Sequence, residues 1–176
     1  MTMKNTTLLI ILLVCFPLFA KAQDVNRNQP TIAESDVPQA VLSNQDTLFP
    51  GGFISEWQLQ KGFDATDDKV VRYISIFEED GRPGSSASYL PNGTLIFHSE
   101  FMLAETIPET VRLKLQFDYK DYDVERADFI TLYAPKREIY RIHLRKNTAV
   151  LHTYYDINGN QIPKETLPVE LILFDR

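Results

Sequence analysis

Two proline-containing helix starts, Val37-Pro38 and Ile107-Pro108, each with a valine three residues beyond the proline, lie 70 residues apart in this chain of 176 residues. Two closing segments, Tyr89-Leu90-Pro91-Asn92-Gly93 and Tyr155-Asp156-Ile157-Asn158-Gly159, each with an isoleucine three residues beyond the glycine, lie 66 residues apart. A nearly constant offset over two unlike patterns is the mark of a duplication. It restricts the fold to two like units, and each unit reads as one helix followed by antiparallel strands.

In the first unit Ser35 or Asp36 can cap the helix, Pro38 suits its first turn, where a missing N–H costs nothing, and Val41, Leu48 and Phe49 fall along one face. Pro50-Gly51-Gly52 stops it. The second helix has Thr106 as cap, Glu109 at the capping-box position, and Val111, Leu115, Tyr119 and Tyr122 along one face. Alternation and aromatic or β-branched enrichment predict strands over 53–60, 70–78, 86–90, 94–103, 124–133, 137–145 and 148–156.

Turns then set the register. A two-residue type I′ turn at Asn92-Gly93 places Leu90 against Leu95 and Tyr89 against Ile96, and the same geometry places Tyr155 against Ile162. A tight turn at Lys146-Asn147 pairs Leu144 with Ala149, Ile142 with Leu151 and Tyr140 with Thr153. That face belongs against the helix. Its reverse carries Ile139, Arg141, His143, Arg145, Val150, His152 and Tyr154, with His152 expected opposite Arg141.

The N-terminal residues bear on where the chain works. Lys4 supplies a positive start, Leu8 to Ala20 form an apolar run, and Ala20-Lys21-Ala22 is a small-residue cleavage site, so residues 1–22 read as a secretory signal. Cys15 raises lipidation as an alternative, but Val14 precedes it and Phe16-Pro17-Leu18-Phe19 continues the apolar run, which is the wrong setting for an acylated cysteine. Membrane anchoring is therefore not expected, and the destination is the periplasm or the exterior. Cleavage removes the single cysteine together with Lys4 and Lys21, taking the net charge from −6 to −8. What remains is one ordinary domain without disulfides, held by its apolar core. Residues 23–34 are expected as a polar, flexible lead-in, and residues 35–176 as a single domain of two units, 35–104 and 105–176.

The motifs Val37-Pro38-Gln39-Ala40-Val41, Phe49-Pro50, Trp57 and the Asn92-Gly93 turn together resemble the PepSY-like domains, relatives of the β-lactamase-inhibitor-like fold. In the second unit Ile107-Pro108-Glu109-Thr110-Val111 matches, Tyr119-Lys120 replaces the Phe-Pro pair, and Ala127 stands at the Trp position. The resemblance implies an α+β fold: two α/β repeats whose helices pack on one face of a curved antiparallel sheet, leaving the other face to bind a protein or peptide. Inhibition of a peptidase or other hydrolase is its fold-level analogue. No catalytic residues come with it.

The residues themselves point the same way. An acidic chain lacks the basic surface that nucleic acid requires. His143 and His152 are too few for zinc and stand among cations, the Asp156-Ile157-Asn158-Gly159-Asn160 segment lacks the distal Glu of a calcium loop, and no serine sits on a strand-turn-helix elbow. Asp64, Asp67 and Asp68 read as a solvated acidic loop. Neither cofactor, metal nor enzymatic activity is expected. The expected function is an exported binding module for an envelope protein or peptide, with Arg141, His143, Arg145, His152 and Tyr154 as contact residues. The alternative is a small-ligand carrier or enzyme with a pocket between helices and sheet. N-terminal sequencing of the exported protein should begin at Gln23; retention of residues 1–22, or a lipid mass on Cys15, would overturn the secretory reading.

Overall fold

The computed structural model describes residues 30–61 and 70–172. It contains one eight-stranded antiparallel sheet in which every strand pairs with the next in sequence. The strands are β1 (Thr31–Ile32), β2 (Phe53–Lys61), β3 (Val70–Glu79), β4 (Arg82–Tyr89), β5 (Leu95–Met102), β6 (Asp123–Tyr133), β7 (Lys136–Lys146) and β8 (Ala149–Asp156). Helices α1 (Gln39–Leu48) and α2 (Glu109–Asp118) precede β2 and β6, each entered through a 3₁₀ turn, Glu34–Asp36 or Ala104–Thr106. The two halves meet in the β5–β6 ladder, where Phe97 pairs with Leu132 and Met102 with Ala127.

The prolines set the helix starts. Pro38 and Pro108 are the N-cap residues, with ψ of 139° and 143°, and neither helix has a side-chain cap. The expected caps are therefore corrected. Ser35, Asp36 and Thr106 lie in or beside the 3₁₀ turns, and the Thr106 hydroxyl donates to the Leu103 carbonyl instead. Proline already fixes the entry dihedral, so a separate capping side chain is dispensable.

Both helices pack on the same face. Val41, Phe49, Trp57, Phe77 and Tyr89 form the first cluster, and Ile107, Val111, Leu115, Ile142 and Tyr155 form the second. Gln45 sits fully inside on α1, where its Oε1 accepts from Ser75 Oγ (2.7 Å) and Tyr89 Oη (2.8 Å). Leu48, expected on the buried face, is exposed, because the inward positions of this short helix are Val41 and Gln45.

The register expected from the tight turns is corrected at both hairpins: Tyr89 rather than Leu90 faces Leu95, and along the whole β7–β8 ladder Leu144, Ile142 and Tyr140 face Leu151, Thr153 and Tyr155. Ala87 pairs with His98 and Ser88 with Phe97, as the hairpin at Asn92-Gly93 requires, but Tyr89 then pairs with Leu95 rather than Ile96. Only Gly93 has positive φ there (89°), and its N–H donates to the Leu90 carbonyl, so the turn is not type I′. Pro91 accounts for this, since it fixes a negative φ at the first central position. In the second unit Tyr155 likewise bridges Gln161 rather than Ile162. A Cβ on Gly93 would lie 2.8 Å from the Ala40 carbonyl, which shows how closely the turn seats on α1; Gly159 stands in the same relation to Thr110.

The β7–β8 turn is displaced by one residue. Asn147 takes φ 55°, Lys146 pairs with Ala149, and Leu144 pairs with Leu151. His143 therefore faces His152 directly and Arg141 faces Tyr154, correcting the expected His152–Arg141 pairing. Each partner moves by two residues, so no side chain changes face.

The C-terminal segment corrects the expectation that helices lie on one face alone. Lys164–Thr166 forms a third 3₁₀ turn, followed by Leu167-Pro168 and a single helical turn, α3 (Val169–Ile172). Leu167 and Leu171 pack with Phe97, Ile130, Leu132, Ile139 and Tyr154, side chains that alternate with those under α2 and so lie on the reverse of the sheet. The polar lead-in is corrected in part too, because Thr31 and Ile32 pair with Gln58 and Trp57. The acidic loop with Asp64, Asp67 and Asp68 lies outside the described residues.

Trp57 and Leu115 are each 3% exposed beneath their helices. Truncation to alanine at either should cost about 2–5 kcal/mol, since each leaves a cavity that neighbouring elements cannot fill. Urea midpoints unchanged from wild type would contradict this packing.

Candidate functional site

On the face away from α1 and α2, a groove of about 410 Å³ runs across β2 to β7 and is bounded by Leu171 of α3. Its depth comes from small residues. The β4 sequence Arg-Pro-Gly-Ser-Ser-Ala-Ser-Tyr places Gly84, Ser86 and Ser88 along this side, and Ser99 of β5 lies opposite Ser86. A Cβ on Gly84 would stand 2.7 Å from the Phe101 Cβ, so glycine lets that aromatic wall residue cross the strand. The Ser86 and Ser99 hydroxyls are 2.8 Å apart.

Three guanidiniums enter the groove: Arg72 from β3, Arg126 from β6 and Arg141 from β7. Arg72 is 5% exposed, donates from Nε to Gln60 Oε1 and from Nη1 to Ser88 Oγ (3.2 Å), and lies 5.2 Å from the Phe97 ring centroid. Burial lowers its pKa to about 9, the positive charge of Arg141 pushes in the same direction, and Glu170 of α3 opposes both. Arg126 is exposed at the rim.

Among the described residues, Asp128 is the acid that lines this groove. Its Oδ2 accepts from Arg141 Nε (2.8 Å) and faces His143 Nε2 at 2.7 Å, with Arg141 Nη2 also at 2.8 Å. Burial alone would raise the Asp128 pKa, but the His143 hydrogen bond and the Arg141 charge together outweigh it and hold the carboxyl well below its ordinary value. The His143 and His152 rings meet edge to face with centroids 4.3 Å apart.

The five contact residues expected from the sequence thus share this face but not one environment. Arg141 lines the groove, and His143 is buried against Asp128. Arg145 pairs with Glu125 in the open. His152 is half-buried against His143. Tyr154 is 1% exposed within the cluster that includes Leu167 and Leu171, so it offers no accessible surface. Arg72, Arg126 and the serines escaped sequence reading because they sit on strands distant in sequence. The alternation of Ser86 and Ser88 on one strand was the available signal.

On the helix side, a largely apolar cavity of about 510 Å³ lies beside α2, lined by Ile107, Leu115, Tyr119, Tyr122, Val124 and Leu144. Among the described residues no group of three or more His, Cys, Asp or Glu side chains is placed to hold a metal. The Asp156 carboxylate is taken up by its own turn, accepting from the backbone N–H groups of Asn158 (2.9 Å) and Asn160 (2.8 Å). No described helix is long and apolar enough to cross a membrane.

An eight-stranded antiparallel sheet in sequence order, with two helices on one face, defines the architecture. Among solved structures it is similar to a BLIP-like protein from Bacteroides fragilis (TM-score 0.57, 17% identity, 72% of this chain and 84% of that one). It is similar at TM-score 0.56 to a candidate periplasmic protein of Bacteroides eggerthii (12% identity) and to a DUF2874 family protein of Bacteroides uniformis (11% identity), each matching 72% of this chain and 86% of the other. These likenesses support a BLIP-like fold. No family model matches the chain, and neither does any curated protein at a significant level.

Burial also lowers the pKa values of His98 and His143. An imidazole depressed in the folded state binds fewer protons folded than unfolded, so its contribution is fully present above about pH 6.5 and is lost as pH falls below it. The urea midpoint should therefore drop between pH 7.5 and pH 5.5, and His143→Gln should shallow that drop. A midpoint that rises on acidification would reverse the assignment.

Proposed function

We propose that this chain is an exported, non-enzymatic binding module of the PepSY-like, BLIP-like class, built from two tandem units, and that it receives a segment of an envelope protein or peptide in the groove on the sheet face away from α1 and α2. The observation that carries the reading is the groove itself, a depression of about 410 Å³ with apolar walls and convergent polar groups on the face these two helices leave open. The signal-like N-terminus supports export, and the likeness in fold to a candidate periplasmic protein and a BLIP-like protein agrees with it. Inhibition of a hydrolase is one form such binding would take, by analogy of fold. The apolar cavity beside α2 favours a second reading, a carrier of a small apolar ligand.

A photo-crosslinking residue placed at Ser86 in the groove should give a discrete adduct with an envelope protein in intact cells, and one at Thr47 on the outer side of α1 should not. Adducts from Thr47 but not Ser86 would move the site to the helix face. Adducts from neither, with apolar small molecules retained by the purified protein and released by Leu115→Trp, would replace the binding module by the carrier.

A further inference from the structure

Resting on that reading of the groove, we propose that α3 is an exchangeable strap. It occupies in cis a site on the reverse of the sheet that takes, in trans, a partner segment of the pattern large aliphatic, proline, two residues, large aliphatic. Exchange frees the end of the groove that Leu171 bounds.

The ligand chemistry of this site is read from the segment seated in it. Three times the chain enters a helix through a 3₁₀ turn and one pattern: Val37-Pro38 with Val41, Ile107-Pro108 with Val111, and Leu167-Pro168 with Leu171. All six aliphatic side chains are buried. The local bonds match as well. Thr106 and Thr166 each donate from Oγ1 at 2.8 Å to the carbonyl three residues earlier, that of Leu103 or Pro163. The N–H groups of Leu171 and Ile172 donate to the Pro168 carbonyl (3.0 and 3.3 Å), as those of Val111 and Arg112 donate to that of Pro108 (both 3.0 Å). Proline fixes the entry dihedral and the aliphatic pair supplies i, i+4 anchors, so this short pattern seats a helix start on a sheet. For α3 the seat is Phe97, Ile130, Leu132, Ile139 and Tyr154.

The three segments differ in how firmly they are held. α1 and α2 each run for 10 residues and bury a further residue one turn on, Gln45 or Leu115. α3 is a turn of four residues, and among the described residues its buried anchors are Leu167 and Leu171, with Ile172 half-buried beside them. Ile162 N–H donates to the Tyr154 carbonyl (2.8 Å) ahead of the segment, and Arg137 Nη2 donates to the exposed Thr166 carbonyl (2.9 Å). A single turn does not offset the cost of its own nucleation, so α3 opens locally far more readily than α1 or α2. Opening uncovers a contiguous apolar patch, which the same anchors from another chain cover equally well. The groove feels the change directly, since Leu171 bounds it and Glu170 favours the charge on Arg72 within it.

Amide hydrogen exchange on the full chain tests the strap at matched positions. After correction for intrinsic rates, Leu171 and Ile172 should exchange about 100-fold faster than Val111 and Arg112, whose hydrogen bonds are alike. A synthetic peptide of residues 164–172 should bind wild type, and should bind the Leu167→Ser/Leu171→Ser double variant about ten-fold more tightly because its own strap no longer competes. The peptide carrying the same two serines should bind neither. Equal exchange at the matched amides would overturn the strap, and that measurement needs only the wild-type chain. A peptide that binds the double variant no more tightly than wild type, or binds as well with its two serines, would overturn it too. Dimerisation of wild type with rising concentration, lost in the double variant, would overturn the partner segment in favour of a second copy. In each of these events a discrete Ser86 adduct would keep the reading of the groove.

Discussion

A single antiparallel sheet has two faces, and α1 and α2 cover one of them. The rest of the molecule follows from that inequality. Beneath the helices the strands carry Trp57, Phe77, Tyr89, Ile142, Leu144 and Tyr155, and the helices return Val41, Val111 and Leu115 to the same layer. Burial of that layer is the main favourable term in folding. On the reverse, an eight-stranded sheet needs either water or a further cover, and the chain uses both. α3 and Leu167 close the end over β6 to β8, while over β2 to β5 the same face carries the buried Gln58, Arg72, Ser88 and Ser99 beside Ile74 and Phe97. The groove lies where that cover stops.

Strand existence and the face of each side chain were legible because alternation reports which face is buried, whereas the pairing register was not, because it hangs on the details of the turns. The errors came from local details that compete with those signals. Pro91 decides the turn before Asn92-Gly93 can adopt a type I′ geometry, and Asn147 rather than Lys146 opens the β7–β8 turn because asparagine tolerates positive φ. α3 went unread although Thr166-Leu167-Pro168 repeats Thr106-Ile107-Pro108, because the helical run after it is a single turn without visible period. Tyr154 was placed on the correct face and misread as accessible for the same reason: its cover is the segment that went unread.

Asp128 shows how the polar half of the molecule is organised. A carboxylate at 7% exposure is costly unless several donors converge on it, and here Arg141 and His143 both do. It holds the Arg141 guanidinium toward the groove and keeps His143 from turning outward to solvent, so one acid orients two side chains of the neighbouring strand. Sequence alone hid this, since Asp128 lies 13 residues from Arg141 and 15 from His143, and only the β6–β7 ladder brings them together.

The groove also belongs to neither half alone. β3 and β4 supply Arg72 and the serine hydroxyls, β6 and β7 supply Arg126, Asp128 and Arg141, and β5 provides Ser99, Phe97 and Phe101 at the seam. The two halves are matched where they build the helix layer, with the 3₁₀ turns and helices beginning 70 residues apart (Glu34 and Ala104, Gln39 and Glu109). They differ on the reverse face: β4 is short-chained and hydroxyl-rich, while β7 and β8 carry Arg141, His143, His152 and Tyr154, of which Arg141 lines the groove. Shared positions therefore answer to packing and divergent ones to the open face. Continuity of the sheet through the β5–β6 ladder brings Arg126, Asp128 and Arg141 into one groove with Arg72 and the serine hydroxyls, and a break in that ladder would part these two groups and open the Phe97–Ile130–Leu132 cluster that spans the seam.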